Sequence, residues 1–275
     1  MSLSFEGPVL LAGAGKMGVA LLSGWLARGL DPKSIVIQEP SLQGDAADLV
    51  REKGLRAVPR LEHLDIAPSV MVVAVKPQAM AAVFPGLAKL AGPKTVVLSI
   101  AAGRSIASFE KFLDTGAAVV RAMPNTPAAI GRGITAAVAN SHVSGPQKSV
   151  CDQLLSAVGE VVWVADEALL DAVTAVSGSG PAYVFYLTEC LAEAGRSAGL
   201  DADLAMRLAR ATVSGSGELM HRSELDAGTL RQNVTSPGGT TAAALAVLMR
   251  DVGGLKALMR EAITAAHKRG RDLGQ

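Results

Sequence analysis

A chain of 275 residues with 49% hydrophobic and 19% charged side chains is long enough for two domains and too apolar for extended disorder. A net charge of +1 and an aromatic content of 3% exclude the basic surface that nucleic acid or a membrane requires, and the stacking residues that single strands require. Cys151 and Cys190 have neither metal-ligand spacing nor disulfide density, so no metal site is expected and a reducing cytoplasm is.

The opening residues, Met1-Ser-Leu-Ser-Phe-Glu, do not read as a signal peptide. No apolar run free of charge and glycine approaches the ~18 residues of a membrane span. An apolar strand over 8–12 leads into Gly13-Ala-Gly-Lys-Met-Gly18, then a helical pattern (Met17, Leu21, Leu22, Trp25, Leu26) that stops at Gly29. Asp31-Pro32 turns the chain into a second strand over 35–38, completing a βαβ unit. A helix over about 42–53 and a short strand over 56–58 follow. Strands at 70–75 and 96–100 flank a helix at 78–90, and strands at 117–123, 134–139 and 160–164 continue the rhythm. Such alternation predicts a mainly parallel sheet covered on both faces. After Asp166 it stops, and 167–273 reads as helices rich in Ala, Gly and Ser. Small residues let helices approach closely, within a bundle or across a subunit interface. The expected architecture is an α/β Rossmann-like dinucleotide-binding domain over 1–165, followed by an all-α dimerisation and substrate domain over 166–275.

The Gly13 to Gly18 segment fits the dinucleotide fingerprint, whose glycines make the turn, admit the pyrophosphate and pack the helix on the sheet. Gly13, Ala14, Gly15, Lys16, Met17 and Gly18 are therefore the first candidate cofactor contacts. Glu39, ending the second strand, is placed to accept from ribose hydroxyls, which favours NADH. Ser41 and Gln43 offer hydrogen bonds to the 2′-phosphate of NADPH. Val75-Lys76-Pro77 closes a strand at the ligand-binding edge. Ser99-Ile-Ala-Ala-Gly103 closes the next with small residues that leave room for a nicotinamide ribose. The stiff segment Arg121-Ala-Met-Pro-Asn-Thr-Pro127 is as readily a structural turn as a ligand contact.

In the helical half, Asn233-Val-Thr-Ser-Pro-Gly-Gly-Thr-Thr241 places turn residues and hydroxyl groups ahead of an apolar run over 242–249. A Ser or Thr side chain capping that helix is expected, and the same orphan N–H groups suit a small carboxylate. The histidines (His63, His142, His221, His267) are scattered without partners. A Gly-x-Ser-x-Gly elbow, a His-Glu-x-x-His pair and a Walker phosphate loop are all absent from the sequence. A nucleotide domain without an acid–base pair suits hydride transfer to a substrate that is already activated.

Glu167-x-x-x-Asp171-Ala-Val-Thr-Ala-Val-Ser-Gly-Ser-Gly-Pro-Ala-Tyr183 and the 233–241 segment closely resemble the signature segments of the pyrroline-5-carboxylate reductases. The glycine turn, Ala74-Val-Lys-Pro77, the 99–103 segment and Met123-Pro-Asn-Thr-Pro127 match that family in order and spacing. The resemblance implies reduction of the ring C=N of 1-pyrroline-5-carboxylate to L-proline by NADPH or NADH, the last step of proline synthesis. It implies that the glycine turn, Val75, Lys76, Pro77 and Ala102 lie along the cofactor, and that Asn233 reaches it too. Asn233, Ser236, Gly239, Thr240 and Thr241 map around the substrate. Homodimers through interlocked helical domains, and rings of such dimers, are also implied.

A protonated imine is strongly electrophilic, so positioning and charge placement should outweigh general acid catalysis. On this view N–H groups of Gly239 to Thr241 hold the substrate carboxylate, and the Thr241 hydroxyl meets the ring nitrogen and relays a proton. Glu167 either stabilises the iminium cation from across the dimer seam or makes a structural hydrogen bond to a neighbouring loop. A 3-hydroxyacid dehydrogenase would need a lysine or histidine at the carbonyl, and 168–176 holds neither. A nucleotide-sensing scaffold would not need the carboxylate cradle.

Overall fold

The computed structural model describes Leu3 and residues 5–274; Met1, Ser2, Ser4 and Gln275 lie outside it, and with them part of the stretch read for a signal peptide. The chain divides into two compact units. One runs to Gly178 and takes in the last turns from His267, and the other is Ser179–Ala266.

The first unit is built on an eight-stranded sheet. In chain order its elements are β1 (Val9–Ala12), α1 (Lys16–Ala27), β2 (Ile35–Gln38), α2 (Gly44–Lys53), β3 (Arg56–Val58), β4 (Val70–Val73) and α3 (Met80–Ala88). They continue with β5 (Val96–Ser99), α4 (Ile106–Glu110), β6 (Ala118–Met123), β7 (Gly133–Ala139), α5 (Gly145–Ser156) and β8 (Gly159–Trp163). The strand order is β3-β2-β1-β4-β5-β6-β7-β8, with the reversal of winding between β1 and β4. Neighbours are parallel except β6 and β7, which run antiparallel. The cause is loop length: the 124–132 link is shorter than the dozen or so residues of a parallel crossover.

β1, β4 and β5 are buried along their whole length, as continuous apolar runs require of strands covered on both faces. Side chains alternate between two core layers: Val9 and Leu11 face one, Leu10 and Ala12 the other. Leu21, Leu22 and Trp25 of α1, Ala46 of α2 and Leu154 of α5 close the first layer. The buried Trp25 Nε1 donates to the Leu154 carbonyl at 2.9 Å, joining α1 to α5. Phe84 of α3 and Phe109 of α4 close the second, edge to face with ring centroids 4.8 Å apart.

Burial, and secondarily the charge of Asp152, push the Cys151 thiol on α5 from 9.0 up to about 12. The folded-state value is the raised one, so the unfolded chain gives up its proton first. This contribution to stability is whole below pH 9.0 and is lost as pH rises toward about 12. The thermal unfolding midpoint is therefore expected to fall across that window, and to fall less steeply in Cys151→Ala. Parallel slopes for the two proteins would contradict this.

After β8 come α6 (Leu169–Val173) and a π-helical turn at Thr174–Gly178, both still in the first unit. The second unit holds α7 (Gly180–Ser197), α8 (Ala202–Arg222), α9 (Ala227–Asn233), α10 (Thr240–Leu248) and the start of α11 (Leu255–Gly274). α7 and α8 pack through small side chains. Ala192, Ala205 and Ala209 are buried, and a methyl on Gly195 would lie 3.4 Å from the Ala205 Cβ. Much of the remaining apolar surface of these helices is open: Phe185 is 62% and Tyr186 67% exposed. No helix among the described residues is long and apolar enough to cross a membrane.

Candidate active site

The parallel strands β1, β2, β4 and β5 end in register, with Ala12 opposite both Gln38 and Val73, and Val73 opposite Ser99. Their C-terminal loops therefore gather Gly13 to Gly18, Glu39, Val75 to Pro77 and Ala102 along one edge. That edge holds the reversal between β1 and β4, where open α/β sheets bind ligands. Gly13 sits at φ +96, and a Cβ there would lie 2.7 Å from the Ala74 carbonyl oxygen at the end of β4. A Cβ on Gly18 would collide with the Gly13 carbonyl oxygen, so this glycine packs α1 on the turn itself as well as toward the sheet. Gly15 differs from both. It is the N-cap of α1, and a Cβ there would meet nothing within 4 Å. Open space thus faces the N–H groups that begin a helix, which fits the pyrophosphate of NAD(P).

Glu39 is turned onto the glycine turn. Its Oε2 accepts the Ala14 N–H at 2.9 Å and its Oε1 the Ser41 N–H at 3.1 Å. Gln43 Nε2 donates to Ser41 Oγ at 2.8 Å, so the two groups offered for a 2′-phosphate are bonded to each other. Lys76 is exposed at the end of the β4 loop, while Val75 and Pro77 are partly covered. Ala102 is exposed on the loop after β5.

Glu167 stands in a polar cluster. Its Oε1 accepts the Ile106 N–H and a guanidinium N–H of Arg121, each at 2.8 Å. The second Arg121 terminal nitrogen is 3.9 Å from Asp171 Oδ1. The Arg121 side chain is 11% exposed and that of Glu167 28%, so the pair is largely withdrawn from water and each charge depends on the other. Arg121 and Asp171 were not among the expected site residues. The signal lay in the sequence, since a lone arginine in the apolar strand Ala-Val-Val-Arg-Ala-Met needs a counter-charge. Arg104 was missed as well; its Nη2 donates to the Pro77 carbonyl at 2.9 Å. Asn125 proves to be part of a structural turn. Its Oδ1 accepts the Ile134 N–H at 2.9 Å and its Nδ2 donates to the Ser177 carbonyl at 3.2 Å.

The 233–241 segment lies in the second unit. Asn233 ends α9, a helix begun by Asp226, whose carboxylate accepts the Thr229 N–H at 3.0 Å. Gly239 N–H donates to the Ser236 carbonyl at 3.0 Å, and Gly238 has φ +71. Proline second and a left-handed glycine third are the pattern of a type II turn. The expected side-chain cap is not formed. Gly239 is itself the N-cap of α10, without a side-chain hydrogen bond, and Thr235 Oγ1 donates backward to the Arg231 carbonyl at 2.6 Å. The turn takes the Gly239 N–H, so the helix start is presented by Thr240 and Thr241. Thr241 is partly covered and Asn233, Ser236 and Thr240 are exposed. Of the histidines, the His63 side chain lies outside the described structure, His142 and His221 are exposed and His267 is partly covered.

A family model for pyrroline-5-carboxylate reductase dimerisation matches residues 167–273, and one for coenzyme F420-dependent NADP oxidoreductase matches 9–103. The chain is 40% identical over 267 residues to the pyrroline-5-carboxylate reductase of Pseudomonas aeruginosa, covering 97% of each. Its structure is similar to that of a pyrroline-5-carboxylate reductase from Coxiella burnetii, with TM-score 0.89, 35% identity, and 98% and 99% of the two chains covered. It is also similar to Plasmodium falciparum pyrroline carboxylate reductase with NADP bound, at TM-score 0.81 and 28% identity over 98% of each chain.

Proposed function

Because the chain belongs to the pyrroline-5-carboxylate reductase family, we propose that it reduces the C=N bond of 1-pyrroline-5-carboxylate to L-proline, the last step of proline synthesis. The observation that carries this reading within the chain is the open space at Gly15, at the start of α1 and beside the reversal of the sheet. NAD(P)H supplies the hydride when bound. The turn from Gly13 to Gly18 surrounds its pyrophosphate, which the N–H groups of Gly15 to Gly18 hold at the start of α1; Val75, Lys76, Pro77 and Ala102 line its path, and the family resemblance adds Asn233. Glu39 accepts from the ribose hydroxyls, and its negative charge beside the turn favours NADH over NADPH.

Asn233, Ser236, Gly239, Thr240 and Thr241 surround the substrate. N–H groups of Thr240 and Thr241 hold its carboxylate at the helix start, and the Thr241 hydroxyl relays a proton from solvent water to the ring nitrogen, giving the iminium that accepts the hydride. For Glu167, the bond to the Ile106 N–H supports the structural role, with the carboxylate positioning the loop ahead of α4. The end of the last strand at Trp163 and a family match from residue 167 support dividing the domains at 165/166, while the compact units part later, after Gly178. The open apolar surface of α7 and α8 supports a homodimer through the helical domain, with rings of dimers as the larger assembly. The cytoplasm, whose thiols are kept reduced, is the compartment that fits the free Cys151 and Cys190. Initial rates of NADH and NADPH oxidation, measured side by side, test the reading. Oxidation should depend on pyrroline-5-carboxylate, with the higher kcat/KM for NADH; no dependence with either nucleotide would refute it.

A further inference from the structure

The loop between β5 and α4 carries Ala102 and is tied to the sheet and to its neighbours at several points. Phe109 anchors α4 in the core against Phe84, Glu167 takes the Ile106 N–H, and the buried Ser99 Oγ accepts the Ala101 N–H at 3.2 Å. Arg104, within the same loop, donates from its Nη2 to the Pro77 carbonyl at 2.9 Å. Pro77 belongs to the neighbouring β4 loop with Lys76, and the same carbonyl accepts the Met80 N–H where α3 begins. One guanidinium therefore spans the two loops proposed to flank the cofactor.

We propose that Arg104 is a positioning residue, a cross-brace that sets the β4 and β5 loops at the separation the cofactor requires. The inference rests on the cofactor site proposed above. A charged donor on a carbonyl is among the stronger hydrogen bonds available at a partly covered site. Without it, the cofactor must order both loops as it binds, and affinity falls by that cost. The brace acts on the loops and not on a phosphate, so NADH and NADPH weaken alike. It is not a matter of long-range charge, so the effect survives salt that screens exposed charges.

The test is equilibrium titration of NADH and NADPH, without substrate, into wild type, Arg104→Ala and Arg104→Lys at low and high salt, alongside steady-state rates. Arg104→Ala should raise both dissociation constants by about 5- to 20-fold at either salt. Its kcat should stay within about twofold of wild type, and its unfolding midpoint should fall by no more than a few degrees, as the loss of one hydrogen bond requires. Arg104→Lys, with a donor on a long stem, should recover most of the loss. Unchanged dissociation constants overturn the brace, as does a loss confined to NADPH or one that vanishes at high salt. If wild type binds neither nucleotide, the function itself fails; if wild type binds and Arg104→Ala binds equally well, only the brace fails.

Discussion

Gly15→Ala is expected to weaken NAD(P)H binding by about 10- to 100-fold, equivalent to roughly 1.4–3 kcal/mol, while leaving the thermal unfolding midpoint in place. The protein makes no contact that a methyl at Gly15 would disturb, since nothing lies within 4 Å of its Cβ position. The space it fills is the space a pyrophosphate would use against the first N–H groups of α1. Gly13→Ala is the opposite case. Its φ of +96 and the 2.7 Å approach to the Ala74 carbonyl strain the fold itself, at a cost of about 2–4 kcal/mol from left-handed backbone and overpacking together. The pair separates a glycine needed by the turn from a glycine needed by a ligand. Native affinity in Gly15→Ala would reduce the segment to a turn.

The second large effect concerns Thr241. Thr241→Ala should lower kcat by about 10²-fold, the lower end of what a positioned proton donor contributes. The KM of NAD(P)H should hold within about twofold, because the Thr241 hydroxyl is assigned to the ring nitrogen of the substrate and not to the cofactor. Thr241→Ser keeps the hydroxyl and should restore most of kcat. An unchanged kcat in Thr241→Ala would remove the hydroxyl from proton transfer and leave only the helix start.

Much of the first unit could be read from residue order, because buried parallel strands are continuous apolar runs and the strand at 8–12 leads directly into its glycine turn. The helix α4 escaped notice because five residues are too few to show a 3.6-residue period. Its markers were a capping serine, Ser105, and two buried side chains, Ile106 and Phe109. The reversal at β7 was legible in the shortness of the 124–132 link but only when weighed as a length. The substrate loop shows a different limit. Its composition pointed to a cap with a hydroxyl acceptor, yet Pro237 and Gly238 closed a tight turn first and placed Gly239 at the cap. The polar partners of the site were the least legible part. Nothing local to Glu39 says that it will bond Ala14, and nothing local to Glu167 says that it will meet Arg121, because those pairings follow from sheet order.

Reduction of pyrroline-5-carboxylate by this chain moves a hydride from a nicotinamide to the imine carbon. The direct measurement is product analysis after turnover with cofactor deuterated at both nicotinamide C4 positions. The expected product is L-proline carrying one deuterium on the ring carbon bonded to nitrogen and remote from the carboxylate. Proline without that label, or label at any other carbon, would rule out hydride transfer to the imine carbon.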